Sequence, residues 1–254
     1  MKHFGIFAAA FSAATAFAGA SAFAATLSLT NVAGTWSDVT GTPVDLTGQG
    51  TNSISWGTPF YSPNDPKSGY DFEGQSNNAI AIDTNFVLGV FTHHNNPIAA
   101  GGSITGAKLS VSFAVSFDGN PSQIIKTVFD FTHWETTNNA SPCADGGTGG
   151  QGVNVNGCAD RVSASTNAGL SEEFTYGNMI YTLNLSGFLH DGQLFTEFWT
   201  TEEAENSALL VANFSVRQAP PPPPPAAVPL PAAGGLLGIA LVGMGAVARK
   251  RRKA

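Results

Sequence analysis

The chain has 254 residues, only 11% of them charged, with eleven Lys and Arg against eighteen Asp and Glu for a net charge of −7. One medium domain with sorting segments fits this length better than two full domains. The composition excludes a polytopic membrane protein, the acidic balance excludes a nucleic-acid binder by charge, and two cysteines exclude a disulfide-stapled scaffold.

Met1-Lys2-His3 forms a short basic start, and an Ala/Phe-rich apolar stretch without acids runs from Phe4 to Phe23. Ala22-Phe23-Ala24 supplies the small-x-small pattern of a signal-peptidase site, so residues 1–24 read as a signal peptide cleaved after Ala24. An uncleaved N-terminal anchor is the competing reading. Between residues 25 and 218 lie all eighteen acids but only Lys67, Lys108, Lys126, Arg161 and Arg217, a balance of −13. This exported segment is expected to repel anionic membranes and nucleic acid and to attract divalent cations.

Within residues 25–218 the hydrophobic period is two. An apolar run from Phe86 to Val90 leads into Phe91-Thr92-His93-His94-Asn95-Asn96-Pro97. Leu109, Val111, Phe113, Val115 and Phe117 then alternate with small and polar residues, as do Ile125, Thr127, Phe129 and Phe131. Tyr181, Leu183 and Leu185 repeat the pattern, followed by Leu210, Ala212, Phe214 and Val216, with Gly, Asn, Asp and Pro clusters as turns. No sustained helical stripe interrupts them. The fold class is therefore all-β: an antiparallel β-sandwich of jelly-roll-like topology, in which two sheets bury their apolar faces on each other. Cys143 and Cys158 are expected to form one disulfide in an oxidising compartment, closing a ring of about 15 residues worth about 3 kcal/mol in the chain-entropy model. Metal ligation or free thiols are the alternatives.

The C-terminal part has three pieces in a fixed order. Residues 219–227 form a Pro-rich linker containing the unbroken run Pro220 to Pro225, a semi-rigid spacer of about 3.1 Å per residue. Residues 228–254 open with Val228-Pro229-Leu230-Pro231-Ala232. Ala232 to Ala248 is uncharged and, as a helix of about 1.5 Å per residue, only just spans a bilayer core. Arg249-Lys250-Arg251-Arg252-Lys253 follows and should stay cytoplasmic. A plain single-span anchor is the competing reading.

This tail resembles the PEP-CTERM sorting signals of Gram-negative bacteria in their VPLPA variant. Thr92, His93 and Asn95, with His94 as the variable position, resemble the motif that names the THxN family of PEP-CTERM proteins. Glu135-Thr136 with Asn138, Cys158-Ala159-Asp160-Arg161, Tyr181-Thr182-Leu183 near Gly187-Phe188, and Phe198 to Glu202 also look like that family. The resemblance implies a secreted β-rich domain of unestablished activity. It also implies a membrane-spanning sorting helix held transiently in the inner membrane and processed by an exosortase-type enzyme, with the product at the cell surface or in the extracellular matrix.

Chemically, Thr92, His93 and Asn95 read first as turn-forming groups just past a strand end, His93 bonding backbone and Pro97 stopping the strand. The functional reading is a metal or ligand site of His93, His94, His133 and Glu135, encouraged by the echo of Phe91-Thr92-His93 in Phe131-Thr132-His133. Adjacent strand residues face oppositely, so His93 and His94 are not expected to ligate together, and no metal site is assigned. Calcium enters only through two loose acid groups, Asn64, Asp65, Asp71 and Glu73, and Asp145, Asn154, Asn156 and Asp160. Gly-x-Ser-x-Gly and His-Glu-x-x-His are absent, and the pairs Glu172-Glu173 and Glu202-Glu203 read as solvated edges. The function expected is a non-catalytic structural or interaction protein of the surface. The alternative is an exopolysaccharide-binding module, with or without the assistance of calcium, in which Trp36, Trp56, Trp134 or Trp199 stack on sugars.

Overall fold

The computed structural model describes residues 26–120 and 122–221. The expected signal peptide, most of the Pro-rich linker, the Val228–Ala232 motif, the sorting helix and the Arg249–Lys253 cluster lie outside the described residues. Among the described residues no helix is long and apolar enough to cross a membrane.

Among the described residues thirteen strands and one 3₁₀ turn (Gly152–Asn154) are formed. The strands are β1 (Leu27–Gly41), β2 (Ser53–Trp56), β3 (Ser68–Gly74), β4 (Asn77–Ile80), β5 (Phe86–Asn95), β6 (Ile104–Phe117) and β7 (Gln123–Trp134). They continue as β8 (Asp160–Thr166), β9 (Phe174–Tyr176), β10 (Met179–His190), β11 (Gln193–Phe195), β12 (Glu197–Thr200) and β13 (Ala204–Gln218). One antiparallel sheet has the order β12-β8-β7-β6-β1-β4; the other runs β11-β10-β13-β5-β3-β2, with β9 paired to β10. All-β architecture in two antiparallel sheets is as the period-two pattern predicts.

The alternation read from the sequence is the alternation of burial. Leu109, Val111, Phe113, Val115 and Phe117 of β6 point inward, and so do Ile125, Thr127, Phe129 and Phe131 of β7. Rings interlock across the sheets: Phe91 of β5 lies 6.2 Å from Trp36 of β1 and 5.2 Å from Phe131 of β7. Each such large side chain contributes roughly 1.5–3 kcal/mol by leaving water, which is why one face of every long strand is apolar. Cys143 and Cys158 are bonded, with their Cα atoms 5.2 Å apart. The Gly/Asn-rich segment they close supplies no strand of its own and is held over one end of the sandwich.

Two expectations are corrected. Residues Thr92 to Asn95 do not follow a strand; they are its last four residues, Thr92 to His94 paired on both sides and Asn95 with Ala204 alone, with His94 opposite Gly69 and Glu205 and His93 opposite Tyr70 and Asn206. The strand runs to Asn95, five residues beyond Val90, and Pro97 stands two residues past its end. Glu202 is not a solvated edge, being 1% exposed, whereas its neighbour Glu203 is exposed. The turn between β12 and β13 directs Glu202 under the disulfide loop. Gly157 (φ +140°) lets that loop lie close, since a Cβ there would stand 3.3 Å from Glu202 Cγ.

Candidate functional site

The two Phe-Thr-His triplets meet face to face. In both, Phe and His point inward and Thr outward, as strand alternation requires. Phe91 packs on Phe131, and the rings of His93 and His133 stand 5.2 Å apart at 89°. The outward Thr92 and Thr132 hydroxyls bond the neighbouring strands through Ser207 and Ser163. His94 faces away from this pair and bonds Asp71 Oδ2 through Nε2 at 2.7 Å on the outer surface. Thus His93, His133 and Glu135 come together, and His94 does not join them.

His93 and Asn95 clasp the opposite sheet at Thr200, the last residue of β12. Asn95 Nδ2 donates to the Thr200 carbonyl at 3.1 Å, and His93 Nδ1 lies 2.9 Å from Thr200 Oγ1. The Thr200 hydroxyl spends its one proton on the Asp160 carbonyl at 3.2 Å. His93 Nδ1 must therefore donate to it, which leaves the Nε2 lone pair bare. Nothing bonds that Nε2. Burial first, then the neighbouring His133 and His94, holds the His93 imidazole well below the usual histidine range, so it is neutral.

Around the same end, His133 Nδ1 meets the Tyr70 hydroxyl at 2.6 Å and its Nε2 faces Glu135 Oε2 at 3.3 Å. Asp160 accepts the Thr136 amide at 2.6 Å through Oδ1, but its buried Oδ2 has no partner. Ligand atoms of His133, Glu135 and Asp160 all lie within 4.8 Å of one another. Glu202 completes the group: no hydrogen bond of ordinary geometry reaches either of its buried oxygens. Burial, then repulsion from Glu135, pushes the Asp160 carboxyl up to about 9 and the Glu202 carboxyl up to about 7. Asn95, Asn138 and Asp160 favour the charged form of Glu202, but by less. Burial, followed by the charges of Asp160 and Glu135, also raises the Tyr70 hydroxyl well above the usual tyrosine range.

A cleft of about 750 Å³ opens beside this group. Phe60 and Tyr61, 65% and 72% exposed, are on its wall together with Ile98 and the half-exposed Trp134; His133 and Glu135 also line it. Ser103 Oγ donates to Glu135 Oε2 at 2.8 Å, fixing that carboxylate. Of the four tryptophans, Trp36 and Trp56 are fully buried and cannot stack on a ligand. Trp134 and Trp199 lie on the outer face of their sheet, with the Arg161 guanidinium 4.8 Å and 5.8 Å from their rings.

Of the two loose acid groups, Asp145 and Asn154 of the second do meet, while Asp71 of the first and Asp160 of the second are drawn elsewhere. Asp71 is engaged by His94; Asp145 accepts both Asn154 Nδ2 and the Gly147 amide; Asp160 belongs to the buried group instead. Sequence reasoning found His93, His133 and Glu135 but placed Asp160 in another group and missed the burial of Glu202. The only signal for these two was their position beside Cys158 and at the end of the Phe198–Glu202 segment. A scan against protein-family models finds no match to this chain, and a search of the curated proteins finds none either.

Proposed function

We propose that this is an exported, non-catalytic β-sandwich of the bacterial cell surface, of jelly-roll-like winding, whose cleft binds a neutral exopolysaccharide. In this reading the chain loses residues 1–24 on export. It is then held by the helix after Ala232 and released or transferred by an exosortase-type enzyme near Val228–Ala232. The observation that carries the glycan reading is the cleft wall of Phe60, Tyr61 and Trp134, three exposed aromatic rings beside the polar edge of Glu135, Thr136, Thr137 and Asn138. Aromatic faces stack on the C–H faces of sugar rings while amide and hydroxyl groups bond the hydroxyls. A balance of −13 over residues 25–218 favours a neutral polymer over an acidic one.

Glu135 is the carboxylate that lines the cleft, with Asp160 buried behind it. Strand crossings between the two sheets, as from β1 to β2 and β3 and from β5 back to β6, support the jelly-roll-like winding.

The test is binding of the purified protein to a panel of neutral and acidic polysaccharides. Retention on at least one neutral polymer, weakened about tenfold or more by Trp134→Ala or Tyr61→Ala, is the expected result. Binding that survives both changes, or confined to acidic polymers, would overturn it. Mass spectrometry of the exported form should find Ala25 at the start and no residue beyond Ala232.

A further inference from the structure

We propose that His133, Glu135 and Asp160 form a binding site for one divalent transition-metal ion, of the zinc, manganese and cobalt class, at the base of the cleft. This does not depend on what the cleft itself binds. Three observations point there independently of one another.

The first is geometry: one imidazole nitrogen and two carboxylates converge within 4.8 Å from adjacent strands, His133 on β7, Glu135 just beyond it and Asp160 at the start of β8. The second is the set of orphaned atoms. Asp160 Oδ2 and both oxygens of the neighbouring Glu202 are buried and receive no hydrogen bond of ordinary geometry. Glu135, Asp160 and Glu202 gather here, and a divalent cation held by His133, Glu135 and Asp160 would take the place of the protons that keep such crowded acids in the interior.

The third is the support behind the ligands. A metal-bound histidine directs its other ring nitrogen to an oxygen, and the buried Tyr70 hydroxyl, 2.6 Å from His133 Nδ1, is that oxygen. A hydroxyl can accept as well as donate, so His133 can take the tautomer that frees Nε2 for an ion. Ser103 and the Thr136 amide hold Glu135 and Asp160 in the same manner. The nitrogen donor selects against calcium and magnesium, which take oxygen ligands, six to eight of them for calcium. Three protein ligands leave a further position, and His133 and Glu135 both line the cleft from which it would be filled.

The experiment is calorimetric titration of the chelator-treated full-length protein with Zn²⁺, repeated with Co²⁺ while following its visible absorption. About one ion per chain is expected, with proton release on binding because the ligands must lose theirs. Glu135→Gln and Asp160→Asn should each weaken uptake at least tenfold. Glu135 is half-buried, so its variant keeps the test open if Asp160→Asn does not fold, as circular dichroism will show. His94→Ala removes the competing surface pair with Asp71 and should leave uptake unchanged. Absence of stoichiometric uptake of zinc, cobalt or manganese by the folded protein would overturn the proposal. So would uptake that ignores Glu135→Gln and disappears with His94→Ala.

Discussion

The two ends of the same sandwich obey opposite rules. At one end Phe117, Phe174, Tyr181 and Phe214 fill the space between sheets with rings 4.9–5.7 Å apart. At the other end β5 and β7 finish in His93, Asn95 and His133, which share the interior with Asp160, Thr200 and Glu202, all 6% exposed or less. Register fixes the opposition: β5 ends beside the start of β13, whereas Tyr181 and Phe214 lie toward its finish. An apolar end needs only volume and shape. A polar end needs every donor and acceptor matched, and here Asp160 Oδ2, His93 Nε2, Asn95 Oδ1 and the Glu202 oxygens have no protein partner of ordinary geometry. Groups that weaken a fold and remain buried in it point to a ligand that completes them.

Truncation at the junction of the two ends should have the largest effect. Phe91 touches Trp36, Tyr70, Phe131, Phe188 and Phe198, and Phe91→Ala is expected to cost about 3–5 kcal/mol in denaturant unfolding. Next comes the staple over the polar end. Replacing Cys143 and Cys158 by Ala should lower stability by about 2–4 kcal/mol, and it should loosen the polar end more than the apolar one in amide exchange.

A third change should reverse the sign. Asp160 and Glu202 titrate higher folded than unfolded, so the folded chain holds protons the unfolded chain has released. Their contribution is complete below the unfolded carboxylate range near pH 4 and is lost as pH rises through about 7 and then about 9. The melting temperature of the metal-free protein should therefore fall across that window, by several degrees. Glu202→Gln should flatten the decline and raise stability at pH 8, whereas a truncation in the apolar end lowers it at every pH. The smallest effect belongs to the outer surface: His94→Ala, which breaks a pair with each side chain about a third exposed, should change stability by at most about 1 kcal/mol.

The apolar end was legible in the sequence because period two and large rings leave one solution for a strand. The Leu109–Phe117 run and the Phe214 strand face inward as read. The polar end was legible only in part. The repeated Phe-Thr-His triplet signalled that His93 and His133 could share an end, and they do. Placing Thr92 to Asn95 past a strand end failed because Asn and His weigh against strand by propensity, and burial between β3 and β13 overrides that. Asp160 and Glu202 carried no usable pattern, since their meeting depends on a disulfide loop folding back over β8 and the β12–β13 turn. Long-range placement of that kind is set by sheet packing and not by local sequence.

The most direct test is X-ray diffraction at the zinc absorption edge from crystals grown with zinc. The account predicts one strong anomalous peak about 2.0–2.2 Å from His133 Nε2 and from carboxylate oxygens of Glu135 and Asp160. A density map without that peak, or with zinc only at surface residues such as His94, would contradict it.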